Sequence, residues 1–564
     1  MRTRDILTTA AALFLCAASS FAVPARPGQW RTLRLADGTE VRAELTGDEY
    51  CHYWRAADGK AYVATAEKGI YMMADRDALE ANASTMRAKA NAIRQTRAAT
   101  ADPAKFTGQK RGLIILVEFT DKDAIPAKTF SKADARSYYD RVANEKGFSD
   151  PEVGFKSSVY DYFYAQSDGQ FEFNFDVVGP FRLPNTYVTY GANEGAYGTN
   201  EANVGKLIYD ACKYADNEKK GGNVDFTKYD WDGDGIVDQV FVLYAGQGEN
   251  TCPDDINLIW PQEGTLGSIG MSQQPFEMDG ATVKNFACSC ELGEGGRIDG
   301  IGTICHEFSH CFGLPDMYDK GTAFGATSLH YGTYVWDLMN MGNYLDNGYQ
   351  PAGYTAYERA FCGWKTLTEL NETTDITAMK PLSEGGEAYI IYNDGNRDEY
   401  YILENRQKTG CDGGLYAAGM LITHINYSAE AWAANDVNTT KERCGVIAAD
   451  NSWDRTESDV RGDLYPYNGN NALTATSTPA ATLTNANTDG SFLMRKDITD
   501  ITQNADGTMA FHFHNPLSSG IENIATDNDP VRTKCVYNIA GQRITDNIGG
   551  RHGLYILNGK KVVR

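Results

Sequence analysis

GTICHEFSHCFGLPDMYD, residues 302–319, decides how the rest of this chain is read. His306 and His310 stand four apart in a chain that has 8 histidines among 564 residues. On a helix, positions i and i+4 share a face, so both imidazoles can be presented to one metal ion. Glu307, beside the first histidine, can act as general base toward a water at that ion. Ile304, Phe308 and Cys311 form the opposite side of the helix and are expected to pack on a sheet. Gly313 can take a positive φ, ending the helix and turning the chain sharply. Asp316 can then swing back as third ligand, with Pro315 stiffening the approach. Two neutral imidazoles, one carboxylate and an open position suit zinc, which polarises a carbonyl and acidifies water.

The ends and the composition fit an exported protein. Arg2 and Arg4 precede an apolar run that closes on Ser20-Phe21-Ala22, the pattern of a secretory leader. No other run of 18 apolar residues occurs, so no transmembrane segment is expected. Net charge is -23 with a pI near 4.8, which argues against nucleic acid or an anionic membrane as the main partner. Loss of Cys16 with the leader leaves an odd number of the 12 cysteines.

The length is too great for one core and calls for three or four folded units; the chain divides into five segments. Residues 1–22 are the signal peptide. Residues 23–106 combine short strands with Asp-Gly turns and a basic helix near 77–99, and read as a propeptide. Arg94, Arg97 and Lys110-Arg111 are its expected cleavage region. Residues 107–370 alternate strands and helices, with Leu113 to Val117 and Gln239 to Ala245 as buried strands, giving a mixed α/β catalytic unit. Residues 371–516 are β-rich and sandwich-like. Residues 517–564 are a linker and a short β module. The fold class is therefore α+β and multidomain.

HExxHxxGxxD resembles the metzincin zinc peptidases, whose usual third ligand is histidine where this chain has Asp316. Trp336-Asp337-Leu338-Met339 fits their methionine turn. The chain is most similar to the immune-inhibitor-A family of secreted bacterial metallopeptidases. The matching segments are IGTICHEFSHCFGLPDMYD, YVWDLMNMGNY, YDWDGDGIVDQVFVLYAG, IWPQ, EYYILENRQ and GMLITHIN, spread over 107–515. The resemblance implies a secreted zinc endopeptidase made as a zymogen, with protein or peptide substrates. It makes His306, His310 and Asp316 the zinc ligands, Glu307 the general base and Met339 the turn beneath the metal. Tyr344, near that turn, is a candidate oxyanion stabiliser. Glu358 would be the third ligand only in a different HExxH clan. A substrate is expected to add as a strand along Thr282 to Cys288. The end of the chain (VYNIAGQRI…GLYILNGKKVVR) resembles C-terminal domains used by bacterial type nine secretion, which would make secretion machinery a partner.

The acidic loop Asp230-Trp-Asp232-Gly-Asp234-Gly235-Ile236-Val-Asp238 places carboxylates at positions 1, 3, 5 and 9 of a calcium loop, with Ile236 offering its carbonyl. Phe241 stands where the usual bidentate Glu would be, so a structural calcium turn feeding a strand is expected. His52, His330, His424, His512, His514 and His552 read as surface or satisfied histidines. Cys305 and Cys311 read as buried thiols, and Cys51 as a minor candidate for blocking the metal. The rival reading is a non-catalytic secreted zinc-binding adhesin using the β-rich half. Glu307 argues against it, because a structural metal site has no need of a base.

Overall fold

The computed structural model describes residues 23–81 (apart from 49–50, 66, 68, 76 and 80), 106–120, 129–193, 201–251, 257–267, 271–320 and 329–516. It also gives the backbone of short strands between 536 and 563. The expected leader, Arg94, Arg97 and His552 lie outside the described residues, as does all but the first turn of the basic helix.

The first unit is a closed barrel of β1 (Trp30–Leu35), β2 (Glu40–Asp48), β3 (Cys51–Ala56), β4 (Ala61–Ala64) and β5 (Ile70–Met73). Its core packs Leu33, Ala43, Leu45, Trp54 and Tyr71, and takes in Trp260 from the next unit. His52 stacks on that indole at 4.5 Å.

The second unit is a five-stranded sheet built from β6 (Gly108–Glu118), β7 (Phe171–Arg182), β9 (Val240–Gln247), β10 (Gln262–Thr265) and β13 (Asn285–Leu292), in the order β10-β13-β9-β6-β7. β10 is antiparallel to β13 and the other pairings are parallel. A small sheet joins β8 (Ile236–Val237), β11 (Phe276–Met278) and β12 (Ala281–Val283). The sheet is buried on both faces, which is why β6 and β9 read as unbroken apolar runs. Ile114 and Leu116 face the helix that carries His306, while Leu113, Ile115 and Val117 face helix Glu201–Ala215. Ser158 and Asp161 form the expected capping box at the start of helix Val159–Gln166.

Two sequence expectations are corrected here. Lys110 and Arg111 are not in an open protease-accessible segment; they lie inside β6, paired with Phe173 and Asn174 of β7. Thr282 to Cys288 is not a free edge either. Ala281–Val283 belongs to the small sheet, and β13 is paired on both sides because the segment after Trp260-Pro261 folds back as β10 and takes the edge.

The third unit is a sandwich. A five-stranded sheet, including Ala388–Asn393, Asn396–Arg406 and Gly419–Asn426, faces a sheet of Thr374–Met379, Asp497–Gln503 and Met509–His514. Ile391, Leu403 and Ile422 meet Ile498, Phe511 and Phe513 between them. The outer face of the larger sheet (Ala388, Ile390, Ile402, Ile425) joins the core of the second unit. The strands within 536–563 form a four-stranded antiparallel sheet. No described helix is long and apolar enough to cross a membrane.

Candidate active site

Helix Gly302–Cys311 carries the HExxH residues, and its environment explains its placement. Phe308 stacks on Phe241 at 4.8 Å and meets Phe173 and Phe175 at 5.2 and 5.0 Å, pinning the helix to the sheet. A Cβ on Gly302 would stand 1.8 Å from the Asn343 carbonyl oxygen, so only glycine lets the helix start against the 341–348 segment. Gly313 has φ +90, the left-handed turn read from the sequence.

His306, His310 and Asp316 come together with ligand atoms within 4.8 Å of one another, all fully buried. His306 Nδ1 donates to the Leu338 carbonyl at 2.9 Å, and His310 Nδ1 donates to the Leu314 carbonyl at 2.8 Å. A carbonyl can only accept, so both imidazoles carry their proton on Nδ1 and leave Nε2 bare. The two bare Nε2 atoms face each other at 3.1 Å. Asp316 Oδ1 lies 3.3 and 3.4 Å from them and accepts no hydrogen bond from a described residue. Three lone-pair donors converging without a proton between them repel one another unless a cation joins them. The donor set, two imidazoles and a carboxylate, fits zinc.

The protonation states agree. Burial pushes His310 down to about 4, against the pull of Asp316. Burial alone would raise Asp316, but the charge of Lys320 leads the opposing influences and holds the carboxyl well below its usual range. His310 is therefore a neutral imidazole and Asp316 an ionised carboxylate at neutral pH, the forms that bind metal.

Sequence reading missed the groups that orient Asp316. Asn435 accepts from the Asp316 N–H at 2.7 Å and donates to Asp316 Oδ2 at 2.5 Å. Lys320 Nζ sits 3.2 Å from the same oxygen and 3.9 Å from Asp48 of the barrel, all three buried. Asn435 is 119 residues from Asp316 and carries no motif. Only an i,i+4 spacing pointed to Lys320.

Met339 is buried, and its carbonyl accepts from Met317 N at 2.8 Å. The preceding residue, Leu338, provides the carbonyl that fixes His306, so this turn is in contact with the site. Glu358 is elsewhere, capping Thr355 N at 2.7 Å. Burial, then the neighbouring Asp337, push its carboxyl well above the usual range.

Glu307 is fully buried, and its Oε1 accepts a hydrogen bond from the backbone nitrogen of Val23 at 2.9 Å. The segment after Val23 runs through the same cleft. Trp260 Nε1 donates to the Val23 carbonyl at 3.0 Å, and Tyr344 OH donates to the Pro24 carbonyl at 2.7 Å while accepting from Asn250. Tyr344 therefore touches a main chain one residue beyond the one at Glu307. Cys51 is packed with Tyr53, Val63 and Leu79 inside the barrel unit. Cys305 is fully buried and Cys311 half-buried. Among the described histidines outside the motif, His52 contacts Glu249, His330 Asp319, His424 Glu399 and His512 Asp375, while His514 meets Thr373.

In the acidic loop, Asp230, Asp232 and Asp238 bring carboxylate oxygens within 4.8 Å of one another. Asp234 is outside that group; it accepts from Ile236 N at 2.8 Å. The loop's own N–H groups serve the carboxylates: Asp230 accepts from Gly233, Asp234 and Gly235, and Asp238 from Trp231.

Residues 103–366 match the family model described as immune inhibitor A peptidase M6, catalytic domain. The pre-pro-metalloprotease PrtV of Vibrio cholerae serotype O1 is 23% identical over 282 residues, covering 45% of this chain and 30% of that protein. Immune inhibitor A of Bacillus thuringiensis subsp. alesti is 24% identical over 296 residues, covering 46% of this chain and 41% of that protein. The chain spans less than half the length of the curated relatives it matches.

Proposed function

We propose that this chain, whose residues 103–366 belong to the immune inhibitor A peptidase family, is a secreted zinc endopeptidase kept latent by its N-terminal barrel. The observation that carries this reading is the convergence of bare His306 Nε2, bare His310 Nε2 and Asp316 beside a carboxylate, Glu307, that is turned to a main-chain nitrogen. His306, His310 and Asp316 hold the metal. Zinc, when bound, supplies a Lewis acid that polarises the scissile carbonyl and acidifies water. Glu307 takes the proton from the attacking water and delivers it to the leaving amine. Met339 belongs to a turn that supports His306, in the manner of metzincins.

The Val23 nitrogen stands where that leaving amine would be, 2.9 Å from Glu307. The segment from Val23 therefore mimics the departing half of a substrate. Removal of a leader after Ala22 would make this nitrogen an ammonium and turn the contact into a charge-assisted bond, roughly twice as strong as a neutral one. Asp48 against Lys320 and Trp260 inside the barrel core support the same docked state. Latency thus rests on Val23 rather than on the Cys51 thiol. Tyr344 acts as a main-chain anchor for the leaving half rather than as an oxyanion donor. Activation removes residues up to about 106, by cleavage between the barrel and β6. The 517–564 segment serves export.

A structural calcium ion at Asp230, Asp232 and Asp238, completed by Asp234 and the Ile236 carbonyl, remains part of this reading; the clustering of three carboxylates favours it. The adhesin reading leaves Glu307 without a task and is set aside. The test is hydrolysis of casein by the purified full chain, before and after limited tryptic activation, with and without a zinc chelator, followed by mass spectrometry of the products. Absence of chelator-sensitive cleavage after activation would refute the endopeptidase. Equal cleavage before and after activation would refute the latency.

A further inference from the structure

The leaving-half cradle ends in a cluster of groups that has no task in hydrolysis. Counting from Val23 at Glu307, Arg26 is the fourth residue of the segment. Its Nη2 donates to Asn347 Oδ1 at 2.7 Å, and its Nη1 lies 3.6 Å from Glu294 Oε2. The guanidinium stands over the Tyr344 ring, 5.8 Å from the centroid. Desolvation raises the carboxyl of half-buried Asp299 to about 6, against the pull of the Arg26 guanidinium. The Arg26 backbone is held as well, its N–H reaching the Asn250 carbonyl at 3.4 Å.

Each of these groups belongs to the catalytic unit and stays when the barrel leaves. Asn347 has φ +57 and Asp346 φ +49, two successive left-handed residues that fix the direction of the Asn347 amide. Tyr344, already holding the Pro24 carbonyl, sets the ring under the guanidinium. An amide oxygen, the Glu294 carboxylate and an aromatic face all select for a cation, and a guanidinium matches them better than an ammonium.

We propose that Glu294, Asn347 and the Tyr344 ring form a subsite for a basic side chain, arginine above all, at the fourth residue after the cleaved bond. This rests on the latency reading above, because it takes the Val23–Arg26 segment as a copy of a substrate's leaving half. The preferred substrates are then proteins with a basic residue at that position, a class that suits an acidic enzyme.

The test uses the full chain after tryptic activation, assayed on casein and inhibited by the amides Val-Pro-Ala-Arg and Val-Pro-Ala-Gln. A charge-assisted contact of this kind predicts about tenfold tighter inhibition by the arginine peptide. In the double variant Asn347→Gly and Glu294→Gln the ratio should fall toward one; glycine keeps the left-handed backbone at no cost. Internally quenched substrates with Arg or Gln at the fourth position should differ in kcat/KM by a similar factor in the wild type. Equal inhibition by the two peptides, or a ratio unchanged in the double variant, overturns the subsite. Inhibition by neither peptide, in an enzyme that cleaves casein, overturns the substrate-mimic reading beneath it.

Discussion

Two carboxylate-bearing clusters among the described residues differ in who satisfies them. In the acidic loop the carboxylates are answered by the loop itself: Asp230 accepts three N–H groups and Asp238 one. At His306, His310 and Asp316 the protein answers only the outer atoms. Leu338, Leu314, Asn435 and Lys320 hold the far sides of the three ligands, and the inner lone pairs are left aimed at one another. The first arrangement is a turn that can accept an ion. The second is costly to leave empty, because fully buried donors face each other in a dry interior. A count of acidic residues does not separate the two; the direction of the hydrogen bonds does.

The largest effect that sharpens this contrast is at Glu307. Glu307→Gln should lower kcat of the activated enzyme by about 10²- to 10⁴-fold with zinc content unchanged, as the proposed role of Glu307 as a base that holds no metal requires. More than a few per cent of wild-type activity would assign the base elsewhere. Next in size, Asp316→Ala should lose zinc, and Asn435→Ala should bind it about 10- to 100-fold more weakly, while Glu358→Gln keeps it. Zinc titration of the three variants checks this, and equal affinity in all would break the claim that the outer contacts set the site.

A third prediction uses a carboxyl that the interior keeps neutral. Burial raises Asp463 to about 7, despite bonds from Trp336 and Tyr331 that favour the ionised form. The folded pKa lies above the unfolded one. The stabilisation is therefore full below pH ~4 and is lost as the pH rises toward 7, by no more than about 4 kcal/mol in total. Asp463→Asn should flatten the fall of Tm between pH 5 and 8; an unchanged slope would place the proton elsewhere. The smallest effect is expected at the loop. A calcium-selective chelator, with zinc kept saturating, should lower Tm by a few degrees, and Asp232→Ala should abolish the difference. If Tm does not respond to chelator, the loop is only a turn.

What was legible in the sequence was what is local. The His306–Asp316 spacing, the turn at Gly313, the packing face at Phe308 and the buried strands all follow from periodicity within some fifteen residues. The groups missed are those that meet only in three dimensions: Asn435, the Leu338 and Leu314 carbonyls, and Val23, 284 residues from Glu307. The edge-strand error has the same origin. Nothing in Thr282 to Cys288 tells that Gln262–Thr265 will return to cover it. Lys110-Arg111 looked cleavable because charge was visible and pairing with β7 was not.

The contact between Asn435 and Asp316 has one more consequence. Asn438 donates to the Met317 carbonyl at 2.7 Å, and the fully buried Arg406 donates to the Trp336 carbonyl at 2.8 Å, so three residues of the sandwich grip the loop and turn on either side of the metal ligands. The matched catalytic segment ends at residue 366, before any of them. A chain cut there would keep His306, Glu307, His310 and Asp316, yet release the scaffold that aims them. For anyone engineering this protein, the smallest portable enzyme runs through the sandwich.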